Sequence, residues 1–118
     1  MMHNYKKLNF WIKSIDLVEN IYSLLKSFPK SEIYGLVDQI KRSSISVPSN
    51  IAEGSGRSSN KEFSRYLSIS KGSLNELNTQ LIISQRLGFI DNTVFQELED
   101  DINEIHKMVY KFNQSLEV

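Results

Sequence analysis

The chain contains no cysteine, two prolines, five glycines, one tryptophan and two histidines in 118 residues. Without thiols, neither disulfides nor thiolate metal sites can form. The histidines, His3 and His106, offer little acid–base or metal chemistry. A di-iron bundle needs Glu-x-x-His on two helices, and the residue three before His106 is Asn103. No nucleophile elbow, phosphate loop or zinc spacing is present. The expectation is a protein that is not an enzyme and uses no metal or cofactor. No run of about 20 apolar residues exists, so no membrane span is predicted. The apolar residues after Lys6 and Lys7 are broken by Asn9, Lys13 and Asp16, so no signal peptide is expected. A cytoplasmic location follows as the expectation.

The composition is ordinary: 40% hydrophobic, 24% charged, net charge zero. A single domain over residues 1–118 is predicted, long enough to bury a core without staples. The charge is unevenly spread. Residues 1–71 hold 11 basic and 6 acidic side chains, a net of +5, and residues 72–118 hold 3 and 8, a net of −5. Such asymmetry marks a polyanion-binding surface, or helical pairs that attract each other or a neighbouring subunit.

Apolar residues recur at steps of three and four in four segments, predicting helices near 8–28, 31–54, 60–88 and 91–116. The first has two such lines. One is Leu8, Trp11, Ile15, Val18, Tyr22 and Leu25; the other is Phe10, Leu17, Ile21, Leu24 and Phe28. A helix apolar around most of its circumference needs burial on more than one side, which suggests self-association through the second line. Pro29 ends this helix and Ser31 is placed to cap the next. The second segment aligns Ile33, Val37, Ile40, Ser44, Val47 and Ile51, with Gly54 and Gly56 as its stop. Ser59 and Glu62 fit a capping box for the third. Its seam is Phe63, Leu67, Ser70, Leu74, Leu77, Leu81 and Ser84, with Gly72 and Ser73 as mid-helix weak points or close contacts. Gly88 ends it, and Asp91 or Asn92 caps the fourth. There, Phe95, Leu98, Ile102, Ile105, Val109, Phe112 and Leu116 repeat, opposite an acidic run from Glu97 to Glu104 that reads as a solvated face. No segment reads as a strand. Four helices with short links imply an up-down-up-down antiparallel bundle.

The unusual stretch is Arg42 to Arg57, which places Pro48 inside a helical pattern. A mid-helix proline costs about 3 kcal/mol by removing a donor and crowding the carbonyl four residues back, here that of Ser44. The hydroxyls of Ser43, Ser44 and Ser46 are candidates to satisfy the freed groups, and a bend at Pro48 is expected. Asn50 and Glu53 share a helix face. They either pair with backbone or with Arg42, tying the helix to its neighbours, or form a polar pocket near the bundle end.

These residues carry a resemblance. The blocks are Leu8 to Tyr22 with Trp11, Glu32-Ile33-Tyr34-Gly35-Leu36, Gln39 to Ser43, Ser46 to Arg57, Lys61-Glu62-Phe63, Tyr66-Leu67 and Gly72 to Leu77. Together they resemble the small helical proteins encoded in intervening sequences of bacterial 23S rRNA genes. They are also similar to the accessory protein of diversity-generating retroelements, a basic pentameric bundle that binds nucleic acid and a reverse transcriptase. Ser70 and Asn78 depart mildly from the pattern, which usually has a small apolar and an acidic residue there. The resemblance implies a left-handed antiparallel four-helix bundle assembled as a homopentameric ring, with Pro48, Asn50, Glu53 and Gly54 in its structural motif.

Arg57, Lys61 and Arg65 are spaced by four around the link between helices two and three, with Lys41 and Arg42 expected nearby across the bend. Clustered cations suffice to hold a phosphate backbone, so Arg42, Arg57, Lys61 and Arg65 are the candidate contacts to RNA or DNA. The competing reading is a set of local ion pairs. The functional expectation is a nucleic-acid-binding or nucleoprotein-adaptor oligomer; the alternative is a protein–protein scaffold.

Overall fold

The protein is described by a computed structural model covering residues 3–118. Four helices account for most of it: α1 (Asn9–Leu25), α2 (Leu36–Ser55), α3 (Asn60–Arg86) and α4 (Asn92–Ser115). Short 3₁₀ turns at Tyr5–Lys7 and Lys30–Glu32 precede α1 and α2. No strand occurs among the described residues. The bundle measures 45 × 25 × 20 Å, the long axis matching the 27 residues of α3 at about 1.5 Å each.

Local chemistry sets most boundaries as expected. The Ser59 hydroxyl accepts from the Glu62 amide at 3.1 Å, and the Asp91 carboxylate accepts from the Val94 amide at 2.8 Å. Each thereby satisfies one donor that a helix start leaves unpaired. Gly88, at φ +81°, is the one positive-φ residue among those described and turns the chain after α3.

The start of α2 differs from the sequence reading. Pro29 is extended, and the chain then makes a 3₁₀ turn, so the helix begins at Leu36 rather than near 31. Ser31 lies inside that turn and does not cap α2. Gly35, at ψ −107°, holds the chain outside helical geometry one residue before the helix starts. Ile33, expected on the core face, is 49% exposed as a result.

The two lines of α1 also exchange roles. Phe10, Leu17, Ile21, Leu25 and Phe28 enter the core, while Trp11, Ile15, Val18 and Tyr22 are only half-buried. The line read as surplus is the core face except at Leu24, and the surplus is the line that begins at Leu8 except at Leu25. Both are apolar, so periodicity alone could not assign them.

The seam of α3 is buried at all seven of its expected positions, and α4 buries Leu98, Ile102, Ile105 and Val109. Phe112 closes one end, its ring 5.1 Å from Phe10 and 5.6 Å from Phe63. Part of the charge asymmetry is met within the chain: Lys13 of α1 lies 3.1 Å from Glu104 and 3.8 Å from Asp101 of α4.

α2 and α3 are joined by hydroxyls. Ser43 donates to the Gln80 side-chain oxygen at 2.6 Å, Ser46 bonds Ser73 at 2.7 Å, and Ser70 donates to the Val47 carbonyl at 3.0 Å. Residue numbers rise along α2 as their partners' numbers fall along α3. Small side chains let the two backbones approach, and each buried hydroxyl keeps a partner.

Candidate nucleic-acid interface

Pro48 is buried within α2, which continues through it without a break. The serine hydroxyls do not turn to the carbonyl that proline frees. Ser44 donates to Lys41, Ser43 to Ile40 and Gln80, and Ser46 pairs with Ser73. The Asn50 side-chain amide instead donates to the Ser46 carbonyl at 2.8 Å and its hydroxyl at 3.0 Å. Asn50 thus supports the α2–α3 seam through Ser46.

Gly54 does not stop the helix. It lies one residue before its end, buried, and a Cβ built on it would stand 2.6 Å from the Tyr66 Cβ and 3.0 Å from Phe63. Only glycine lets α3 pass that close, and the contact fixes how the two helices diverge into their corner.

That corner carries the candidate cations. Arg57 lies 3.1 Å from the Glu53 carboxylate and donates to the Tyr66 hydroxyl at 2.6 Å. Arg65 donates to both carboxylate oxygens of Glu62, at 3.0 and 3.4 Å. Both guanidinium groups sit over the Tyr66 ring, at 4.8 and 4.6 Å from its centre. The negative face of an aromatic ring attracts cations, so Tyr66 holds two like charges together. Lys61, exposed, lies one turn before Arg65 and makes no ion pair among the described residues.

Glu62 feels this arrangement. The hydrogen bond from Arg65 holds its carboxyl below the ordinary value, against a desolvation cost, and the charges of Arg65, Arg57 and Lys61 add to the effect. All three cations of the corner therefore act on one carboxylate.

Arg42 is not part of the group. It pairs with Asp38 at 3.0 Å and borders a groove with Gln39, Glu76 and Gln80. Thirteen residues of α2 separate it from Ser55, about 20 Å along the axis. Of the two pairings expected for Asn50 and Glu53, the backbone one holds for Asn50, through the Ser46 carbonyl, while Glu53 takes Arg57 rather than Arg42 as its partner. Tyr66 is the organising residue that sequence reasoning missed. Its signal was an aromatic beside Arg65 and nine residues from Arg57, across the short link.

An all-helical four-helix chain with a basic, tyrosine-centred corner is the class defined so far. Residues 6–111 match the model of the 23S rRNA-intervening sequence protein family, and the chain belongs to that family. It is similar in structure to a protein of unknown function from the S23 ribosomal protein family of Bacteroides thetaiotaomicron. The TM-score is 0.80 at 24% identity, covering 90% of this chain and 99% of that one. No curated protein matches the chain. Among the described residues, no helix is long and apolar enough to cross a membrane.

Proposed function

We propose that this protein is a non-enzymatic homo-oligomer that binds the phosphate backbone of RNA or DNA through Arg57, Lys61 and Arg65, acting as an accessory or nucleoprotein adaptor in the cytoplasm. The observation that carries this reading is the gathering of Arg57 and Arg65 over the one Tyr66 ring, at 4.8 and 4.6 Å, with the exposed Lys61 one turn before Arg65. Exposed ion pairs are weak and exchange partners readily. A phosphate arriving at the corner competes with Glu53 for Arg57 and with Glu62 for Arg65, and meets Lys61 outside any ion pair among the described residues, without rearranging the helices. The assembly proposed is a ring of five antiparallel, left-handed up-down-up-down bundles, which would repeat the corner around one rim. Recognition would be largely independent of sequence, because the corner's aromatic ring is covered by guanidinium groups and, among the described residues, no series of open rings adjoins it for base stacking.

A second reading has its own support. Arg57 and Arg65 are each already paired, and a half-exposed apolar line runs along α1, which suits a scaffold for other proteins with no role for nucleic acid. A gel mobility shift with RNA and with DNA at low salt separates the two. Binding is expected, with affinity falling steeply as salt rises. Replacing Arg57, Lys61 and Arg65 together by Ala should weaken it and flatten the salt dependence, by about one unit of slope per cation. The same replacement at Glu97, Asp100 and Glu104 should not weaken it. Absence of any shift at low salt would leave the scaffold as the function.

A further inference from the structure

The other end of α2 holds a groove that the proposed nucleic-acid site does not use. It lies where α1 leads through the 3₁₀ turn into α2 and has a volume of about 450 Å³. Phe28, Ile33 and Val37 supply its apolar lining, and Lys26, Lys30 and Lys41 also border it. Lys41 is about 21 Å along the axis from the C-terminal end of α2, so the groove and the Arg57 corner are separate surfaces.

The three lysines make no ion pair among the described residues. Asp38, the acid of α2 closest to Lys41 in sequence, is taken by Arg42. A lysine ammonium can satisfy itself in water, but three of them around one apolar cleft create a local positive field; the one acid of the adjoining turn, Glu32, makes no ion pair with any of them among the described residues. The cleft is within the size range of ligand sites. Its apolar side needs an apolar side chain, and its cations need carboxylates.

We propose that this groove binds an acidic segment of a partner protein, one that inserts an apolar side chain against Ile33 and Val37 and sets carboxylates beside Lys26, Lys30 and Lys41. Charge complementarity calls for an anionic occupant, and the apolar lining selects a peptide over a nucleic acid, because a phosphate backbone would meet the lysines but leave Ile33 and Val37 uncovered. Bases need open aromatic faces. Here the Tyr22 ring lies under the Lys41 ammonium at 5.1 Å, and Phe28 is buried against Phe89 at 5.6 Å between ring centres. Ile33, 49% exposed, is the apolar group the segment would cover.

The test uses the full chain and a fluorescein-labelled synthetic peptide in which Glu and Asp alternate with Leu and Phe, followed by anisotropy. Saturable binding that weakens with salt is expected. Replacing Lys26, Lys30 and Lys41 together by Gln should lower the affinity about tenfold, and Ile33→Asp alone should lower it comparably. The same three-charge change at Lys71, Lys107 and Lys111 should leave it within about twofold, which separates the groove from net charge. All these positions are at least partly exposed, so folding should survive, as a thermal melt would verify. The proposal is overturned if the Asn/Gln version of the peptide binds equally well, or if the control triple weakens binding as much as the groove triple. It is also overturned if a single-stranded oligonucleotide binds the groove in place of the peptide, or if the groove triple changes the oligomer mass, which would make the face an interface between copies. Failure of the Arg57 corner to bind nucleic acid would leave this result untouched.

Discussion

Two glycines show how little the residue type says until its neighbours are known. Gly54 and Gly72 both lie within long helices, yet a Cβ at Gly54 would collide with Tyr66 and Phe63, while one at Gly72 would meet nothing within 4 Å. Gly54→Ala should therefore destabilise by about 1–3 kcal/mol, since the Tyr66 Cβ is fixed to its backbone and cannot yield. Gly72→Ala should stabilise by up to about 1 kcal/mol through helix propensity. Denaturant midpoints with unchanged slopes would verify both signs; equal effects would deny the close approach. His106 supplies the pH dependence. Burial lowers its pKa from the ordinary 6.5, and the charge of Lys71 lowers it further. The unfolded chain then takes up this proton first, so stability should fall as pH drops below about 6.5 and continue falling until the folded imidazole titrates. Above that range the group contributes nothing. His106→Gln should flatten this part of the stability profile in matched melts, and an unchanged profile would refute the role.

At the scale of elements, the four helices and the α3 seam were legible because polar and apolar positions there differ sharply. Ser59 and Asp91 declared their caps for the same reason. The start of α2 was not legible: Ile33 continues the helical spacing, but Pro29, the 3₁₀ turn and Gly35 carry it out of the core. Neither was the buried face of α1, where both lines are apolar. In the candidate site, spacing brought Arg57, Lys61 and Arg65 to one corner, whereas Arg42, expected nearby, lies thirteen residues of α2 before Ser55 and pairs with Asp38. The unbroken α2 makes Pro48 a question about packing. Its ring borders a groove with Trp11, Val18 and Ala52, so Pro48→Ala trades a regained helix hydrogen bond for lost apolar contact. A lower melting temperature or an altered oligomer mass is expected. A raised melting temperature at unchanged mass would mean that the ring is dispensable.

At the scale of the molecule, the apolar surface left on one chain makes the case for assembly. Trp11, Ile15 and Val18 of α1 face Ile45, Pro48 and Ala52 of α2 across an open groove of about 330 Å³. Ile45 is 43% exposed and the neighbouring Ile12 42%. Scattered exposed apolar residues are normal, but this half-buried apolar groove between two helices suits the contact surface that the proposed ring needs. A closed ring of five uses two different faces of each subunit, and this groove would be one of them. Light scattering at micromolar concentration should then give five times the 13.7 kDa chain mass. Ile45→Glu should lower that mass toward a single chain while leaving the helical circular dichroism intact, because the side chain lies at the surface of its own subunit. The three-alanine change at Arg57, Lys61 and Arg65 should leave the mass unaltered, since that corner is proposed to bind a polyanion rather than another subunit. A monomeric wild-type protein would refute the ring and the reading of the α1 line together. An oligomer that survives Ile45→Glu would move the interface to another face.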